Sequence, residues 1–323
     1  MALAGGDLER YRHELRVHCY RMLGSFDEAE DLVQETFLKA WRARDAFEGR
    51  SSVRSWLYKI ATNACLDARR PRRILPSDLE PPSSRIPARA PRPELPWLQP
   101  FPDALLEPPA PRADEPDVMV ISRETIELAF LAAIQHLPPR QRAVLILRDI
   151  LNWPAADTAD LLGLSVAAVN AALQRARPAL RSGLPSHRSE WTSTASDAER
   201  ELVDRYIDAF ERSDADAVVA LMHVDVRVTM PPFPFWLSGR DDVHAAFLDS
   251  FDPASPRHPG HQRMLPFAAN RQPAVASYLR QPGEASYRPF GISLLRVEHG
   301  RIAELTAFGE PKLFAAFGLP ESL

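Results

Sequence analysis

The groups in this sequence best suited to chemistry are cations, amides and aromatic rings rather than a nucleophile, a metal cage or a matched acid and base. They are densest in SSVRSWLYKIATNACLDARR at residues 51–70. On a helix of 3.6 residues per turn, Val53, Leu57, Ile60, Ala61, Ala64 and Ala68 share an apolar face, and Ser55, Tyr58, Lys59, Thr62, Asn63, Arg69 and Arg70 are left outside. Cations neutralise phosphates, a Tyr ring offers a stacking plane, and Asn and Thr reach base edges, which is the set that single-stranded DNA binding uses. An ordinary solvated helix uses the same residue types, so spacing alone leaves both readings open.

A second set lies in LPPRQRAVLILRDILNWPAADTADLLGLSVAAVNAALQRARPALRSGL. Two helical patterns are parted by Leu162-Gly163-Leu164-Ser165, where Gly163 suits a left-handed helix end and Ser165 an N-cap. That is the grammar of a helix-turn-helix. In its second helix Ala168, Val169, Leu173, Ala176 and Leu180 form the stripe to be buried. Ala167, Asn170, Ala171, Gln174, Arg175 and Arg177 face outward, where amides can pair with adenine and Arg with guanine or phosphate in a major groove. A third segment, DLVQETFLKAW, groups Val33, Phe37, Ala40 and Trp41 against Asp31, Glu35 and Lys39.

Composition sets the frame. The 323 residues suffice for two or three domains, and 45% hydrophobic with 25% charged content is that of a globular protein. No apolar run reaches the roughly 20 residues of a membrane helix, and the N-terminal stretch has no secretory signal, so the bacterial cytoplasm is the expected location. Cys19 and Cys65 lack C-x-x-C spacing and read as buried thiols. The charge is uneven: Ala195–Leu323 holds 13 basic and 18 acidic residues, so the net −4 hides a front half of about +1. Within Arg140–Arg188 seven Arg oppose three Asp. Fourteen of 31 prolines fall between Pro71 and Pro116, which predicts an irregular linker between two helical modules.

Residues 11–70 resemble region 2 of the sigma-70 family in its extracytoplasmic-function branch, on the D-x-x-Q-E-x-F-x-x-x-W signature of Asp31, Gln34, Glu35, Phe37 and Trp41. The helix-turn-helix resembles sigma region 4. The resemblance implies that Asp31, Gln34, Glu35, Phe37, Lys39 and Trp41 dock on the clamp helices of the polymerase largest subunit. It also implies that Arg50, Arg54, Tyr58, Lys59, Asn63 and Arg69 hold the melted minus-ten strand. Ser165, Ala167, Asn170, Ala171, Gln174, Arg175 and Arg177 would then meet the minus-thirty-five duplex. Two prolines depart from the family's pattern. Pro154 reads as an early helix residue, and Pro178 should end or kink the recognition helix near Arg177.

Beyond Trp191 the pattern turns to helix from Asp197 to Leu221, then to strand-like alternation in Val224–Met230, Phe290–Val297 and Ile302–Phe308, with a Glu298-His299-Gly300 turn. This resembles the SnoaL-like branch of the ketosteroid-isomerase-like superfamily, a cone-shaped α+β barrel. Tyr206, Met230, Trp236, His244 and Tyr287 are its candidate pocket residues, and the aromatic run Pro231–Trp236 is suited to lining a pocket or packing elsewhere. No acid/base pair is forced, so neither catalysis nor a cofactor is expected. The resulting organisation is multidomain: an all-α region 2 (7–70), a Pro-rich linker (71–120), an all-α region 4 (121–188) and an α+β domain (195–323). The partners it implies are polymerase core, promoter DNA and a candidate small-molecule ligand of the last domain, with an anti-sigma partner left open and no membrane. The function implied is promoter recognition by a sigma factor modulated in cis. The alternative is a helix-turn-helix regulator fused to a SnoaL-like isomerase or hydrolase.

Overall fold

Serines start three of the long helices. Ser25, Ser52 and Ser165 stand extended before α2 (Phe26–Ala43), α3 (Val53–Asp67) and α7 (Val166–Gly183), and their hydroxyls accept the Glu28, Ser55 and Ala168 amides. Each N-cap satisfies a donor that the first turn leaves unpaired. The preceding helix, α1 (Arg12–Leu23), ends at Gly24 in a left-handed conformation with φ of 67°. A Cβ there would stand 2.8 Å from Leu98 and 3.1 Å from Arg73 and Gln135, so only glycine lets these side chains close over the turn. The computed structural model describes residues 8–47, 49, 51–87, 90–106, 125–184 and 197–323.

The chain forms two compact units. The first takes the residues up to Arg73, Leu98–Phe101, and the chain from Leu105 to the end of α7. Within it α1, α2 and α3 bury Leu15, Val17, Tyr20, Val33, Leu57 and Ala61 against one another. Four more helices follow: α4 (Leu128–Gln135), α5 (Pro139–Leu145) running on as a π-turn over Ile146–Ile150, α6 (Ala155–Leu162) and α7. The two helical groups share one interior. Arg142, buried on α5, donates to the carbonyls of Ile134, Gln135 and Leu137 and to that of Met22 at the end of α1. Leu98–Phe101 enters the same interior: Tyr20 donates to the Gln99 carbonyl at 2.7 Å, and Phe101 packs on Tyr20 and Phe26.

The rest of the proline-rich segment, Ile74–Trp97, belongs with the second unit. It is irregular, as its prolines predict, but its backbone is held. Ser83 donates to the Trp236 carbonyl, Arg92 to the Pro232 carbonyl, and the Trp236 indole to the Glu80 carbonyl, each at 2.8 Å. The unit also contains α8 (Asp197–Glu211), α9 (Ala215–Ala220), β1 (Met222–Thr229), β2 (Trp236–Ser238), α10 (Arg240–Phe251), β3 (His261–Ala269), β4 (Gln272–Arg280), β5 (Arg288–Glu298), β6 (Arg301–Phe308) and α11 (Leu313–Ala316).

The six strands lie in the order β2-β1-β6-β5-β4-β3, antiparallel except for β1 beside β6. Register shifts interrupt the β1–β6, β4–β5 and β5–β6 pairs, the irregularities by which a sheet bends. Residues of α8, α9 and α10 pack with Val226, Leu237, Met264, Val275, Leu295 and Leu305 in one core. The expected alternation of Val224 and Val226 holds only in part, since Val226 is buried and Val224 is 60% exposed. The break falls in the stretch where the β1–β6 register shifts. Among the described residues no single helix is long and apolar enough to cross a membrane.

Candidate functional site

On α2 the buried stripe is Ala29, Leu32, Val33, Thr36 and Ala40. Thr36 satisfies its hydroxyl on the Leu32 carbonyl at 2.7 Å. Phe37 is half-buried under the Arg12 guanidinium, but Trp41 is not core as its spacing suggested. It is 46% exposed, one turn from Leu38 at 58%, with Arg44 stacked on its ring at 4.1 Å. Asp31, Gln34, Glu35 and Lys39 are exposed on the same helix, and Lys39 pairs with Glu35 at 2.7 Å. The result is an apolar pair in a polar surround, fixed on a rigid rod.

The basic aromatic helix α3 divides differently from its sequence pattern. Tyr58 and Thr62, expected outside, are fully buried. Tyr58 packs between His18 of α1 and Trp153, at centroid distances of 5.0 and 5.3 Å, and its hydroxyl donates to Glu14 at 3.1 Å. Burial and the adjacent Glu14 carboxylate push its pKa well above the ordinary phenol value. Thr62 meets His18 Nε2 at 2.9 Å. The helix has neighbours on two sides, so its buried face is wider than one apolar stripe. Arg54 is drawn into the same network by an ion pair with Glu14 at 2.7 Å. Lys59, Asn63 and Arg69 remain exposed, with Lys59 3.7 Å from the Asp160 carboxylate. Arg50 lies outside the described residues.

In the helix-turn-helix, Gly163 ends α6 with φ of 63° and Ser165 caps α7 at 3.1 Å, as the sequence predicts. Val169, Leu173 and Ala176 are buried, joined by Ala172, while Ala168 and Leu180 are only half-buried. Ala167, Asn170, Gln174 and Arg175 stand exposed on one side, Ala171 is half-buried, and Arg177 is exposed but held by two hydrogen bonds to Asp149 at 2.8 and 2.9 Å. The helix end expected at Pro178 and the helical place expected of Pro154 need correction. Pro178 does not end α7, which continues to Gly183. Pro178 is exposed, away from the packed stripe, and the carbonyl it deprives of an amide donor, that of Gln174, belongs to an exposed residue. Pro154 is the residue before α6 rather than inside it, with its carbonyl accepting both the amide and hydroxyl of Thr158 at 3.0 Å.

The second unit encloses a cavity of about 550 Å³ between α8, α10 and the sheet. Tyr206 and Met230 line it, as do Phe233 and Phe235 of the aromatic run. The other three pocket candidates do not. Trp236 alternates out of the wall and binds the Glu80 carbonyl, His244 faces Asp216 at 2.8 Å, and Tyr287 lies under the Arg280 guanidinium. Desolvation raises the Tyr206 phenol above its ordinary value. No carboxylate lines the cavity among the described residues, and no group of three or more His, Cys, Asp or Glu could hold a metal.

Sequence profiles match the chain in three places: Sigma-70 region 2 at residues 8–74, Sigma-70, region 4 at 127–180, and a SnoaL-like domain at 203–305. The ECF RNA polymerase sigma factor SigG of Mycobacterium tuberculosis is 44% identical over 318 residues, covering 98% of this chain and 83% of that protein. The chain belongs to the ECF sigma factors. SigJ of the same organism is 27% identical over 98% of this chain and 94% of its own. The crystal structure of M. tuberculosis SigJ has the same fold, with a TM-score of 0.61 at 23% identity over 98% of this chain and 99% of that one.

For this sigma factor the residues that sequence reasoning missed are those that join its two helical modules. Trp153 and Arg142 carry no periodic signal of that role, since a buried Trp and a buried Arg are read only by what surrounds them. Arg142 follows Arg140 and Gln141, the company of a solvated helix face. Burial brings its pKa down to about 10, which leaves it a cation at neutral pH that four carbonyls must satisfy.

Proposed function

We propose that this sigma factor engages polymerase through the exposed face of α2, with Asp31, Gln34, Glu35, Phe37, Lys39 and Trp41 meeting the clamp helices of the largest subunit. The observation that carries the reading is the exposed pair Leu38 and Trp41 among polar residues, an apolar anchor with a polar rim, as docking surfaces are built. Residues 7–70 hold the melted minus-ten strand through Arg50, Lys59, Asn63 and Arg69. Residues 121–188 present Ala167, Asn170, Gln174 and Arg175 to the minus-thirty-five duplex. Arg54 and Tyr58 serve the fold of the first module, because both are bonded to Glu14.

Residues 195–323 regulate these modules in cis, by biasing an equilibrium between the arrangement in which Trp153 covers Tyr58 and one in which the modules part along DNA. An apolar cavity with no lining carboxylate among the described residues supports a ligand-responsive role over turnover and weighs against the isomerase alternative. The setting is the cytoplasm, where polymerase core and promoter DNA meet. Transcription in vitro with purified core polymerase tests the reading. Full-length protein should direct initiation from its promoter, Glu35→Ala with Trp41→Ala should lose it while duplex binding by α7 persists, and truncation after Ser189 should change promoter output. Initiation that ignores both α2 substitutions would overturn the docking assignment.

A further inference from the structure

The cavity of the second unit has a wall that the SnoaL-like domain does not supply. Ile86 and Pro87, from the proline-rich segment, stand among its lining residues, and Ile86 packs half-buried against the domain core. The segment is pinned on both sides of this pair. Ser83 pairs with the β2 edge at Leu237 and donates to Trp236, and Arg92 donates to Pro232. Phe235 and Leu237, which flank the Trp236 anchor, themselves line the cavity. The strap and the cavity wall therefore share one stretch of backbone.

The interior states what it would accept. Aromatic and thioether side chains dominate, including Phe210, Phe247 and Met264, and the volume of about 550 Å³ is that of a small-molecule site. Arg257 is the one charged lining residue among those described, and Asp249 holds it at 2.6 Å. Besides Arg257, the polar lining comes from Ser250, Gln262 and three hydroxyls on side chains more than nine-tenths buried, those of Tyr206, Ser277 and Ser293. None of these oxygens is among the buried polar atoms left without a partner, and each side chain borders the cavity, where a ligand can reach it. Ser277 and Ser293 lie on adjacent strands, with Ser277 opposite Gly291 and Ser293 opposite Val275, so their hydroxyls approach a common ligand from one side while Tyr206 approaches from α8.

We propose that the cavity binds an uncharged, mainly apolar small molecule carrying carbonyl or hydroxyl groups, and that this ligand contacts Ile86 and so tightens the Ile74–Trp97 strap. The three hydroxyls fix its polar atoms, and the Phe and Met side chains take its apolar body. Because ligand and strap meet at Ile86, each strengthens the other by the same factor. The inference deepens the cis-regulatory reading and rests on it only for the consequence at promoters.

The full-length protein and Nile red, an uncharged aromatic carbonyl compound, provide the test, with no polymerase present. Saturable binding with blue-shifted emission is expected. It should be abolished by Ala307→Trp, which fills the cavity, and weakened at least several-fold by Ile86→Gly and by the double change Ser277→Ala, Ser293→Ala. Leu38→Ser on α2 controls for dye held at an exposed apolar patch and should change nothing. Where Ala307→Trp loses its circular dichroism signature, Ser293→Leu replaces it as the filling variant. In the reciprocal arm, Nile red should slow hydrogen exchange at the Ser83 and Arg92 amides. No saturable binding up to the dye's solubility limit, or binding that the filling variant leaves intact, overturns the site. Binding lost on filling but indifferent to Ile86→Gly, with exchange unchanged, overturns the coupling. Since neither arm involves transcription, failure here leaves the promoter reading standing, and failure of initiation leaves this one standing.

Discussion

Arg142 and His18 show how single buried polar residues set the terms on which the first unit holds together. Arg142 spends its guanidinium on four carbonyls, at the end of α4, in the turn after it and at the end of α1. Arg142→Met keeps the volume but strands those acceptors, so urea denaturation should show a loss of about 3 kcal/mol in the first unit. Arg142→Lys should recover little of it, because an ammonium cannot fork as a guanidinium does. His18 acts through protons. Burial brings its pKa down to about 3 in the folded chain, against an ordinary 6.5, so between those values the unfolded chain binds the proton and the folded chain does not. Stability from this group is complete above pH 6.5 and is lost as pH falls toward 3, at up to about 1.4 kcal/mol per pH unit. Midpoints of denaturation measured from pH 7 to pH 4 should show that slope, and His18→Asn should flatten it. An equal slope in the variant would mean that other groups carry the acid sensitivity.

At the scale of elements, caps and periods were legible and contacts between elements were not. Ser165, Gly163 and the stripe of α7 announce themselves because an N-cap, a left-handed end and a 3.6-residue period are local physics. The α7 prediction is correspondingly local. Ser165→Ala should destabilise the first unit by about 1 kcal/mol through the orphaned Ala168 amide. Arg175→Ala should weaken duplex binding on all sequences and shallow its salt dependence by about one unit of slope, whereas Asn170→Ala should alter base preference, read by titrations over a salt series. Strands β3 and β4 gave no such signal. Pro266 interrupts β3, tolerated because β3 is an edge strand, and β4 begins Gln272-Pro273 and is buried through seven consecutive residues, so the alternation that marks a half-exposed strand is missing. Tyr58 misled for a related reason. Its polarity marks it for the surface, and only the meeting of α1, α3 and Trp153 buries it.

For the whole molecule the decisive feature is the path of the proline-rich segment between the two helical modules. Composition predicts an irregular linker and says nothing of its attachments, yet Leu98–Phe101 is packed in the first unit and Ile74–Trp97 is hydrogen-bonded in the second. Under the proposed cis regulation, a segment held by these attachments favours the contact of Trp153 with Tyr58 by keeping the modules at high effective concentration. Truncation after Ser189 removes the strands and helices that pin Ile74–Trp97 and lengthens the free tether. Length alone costs the closed contact only about 0.6 kcal/mol per doubling, so the shift should be graded rather than all-or-none. Hydrogen exchange over α4 and α5 should then rise by a few-fold in the truncated protein. Trp153→Ala in the full-length chain should raise it further, because that change removes the packing on Tyr58 rather than the tether. If truncation leaves exchange in α4 and α5 unchanged while altering promoter output, the C-terminal unit acts on polymerase or DNA directly, and the strap is not its route of control.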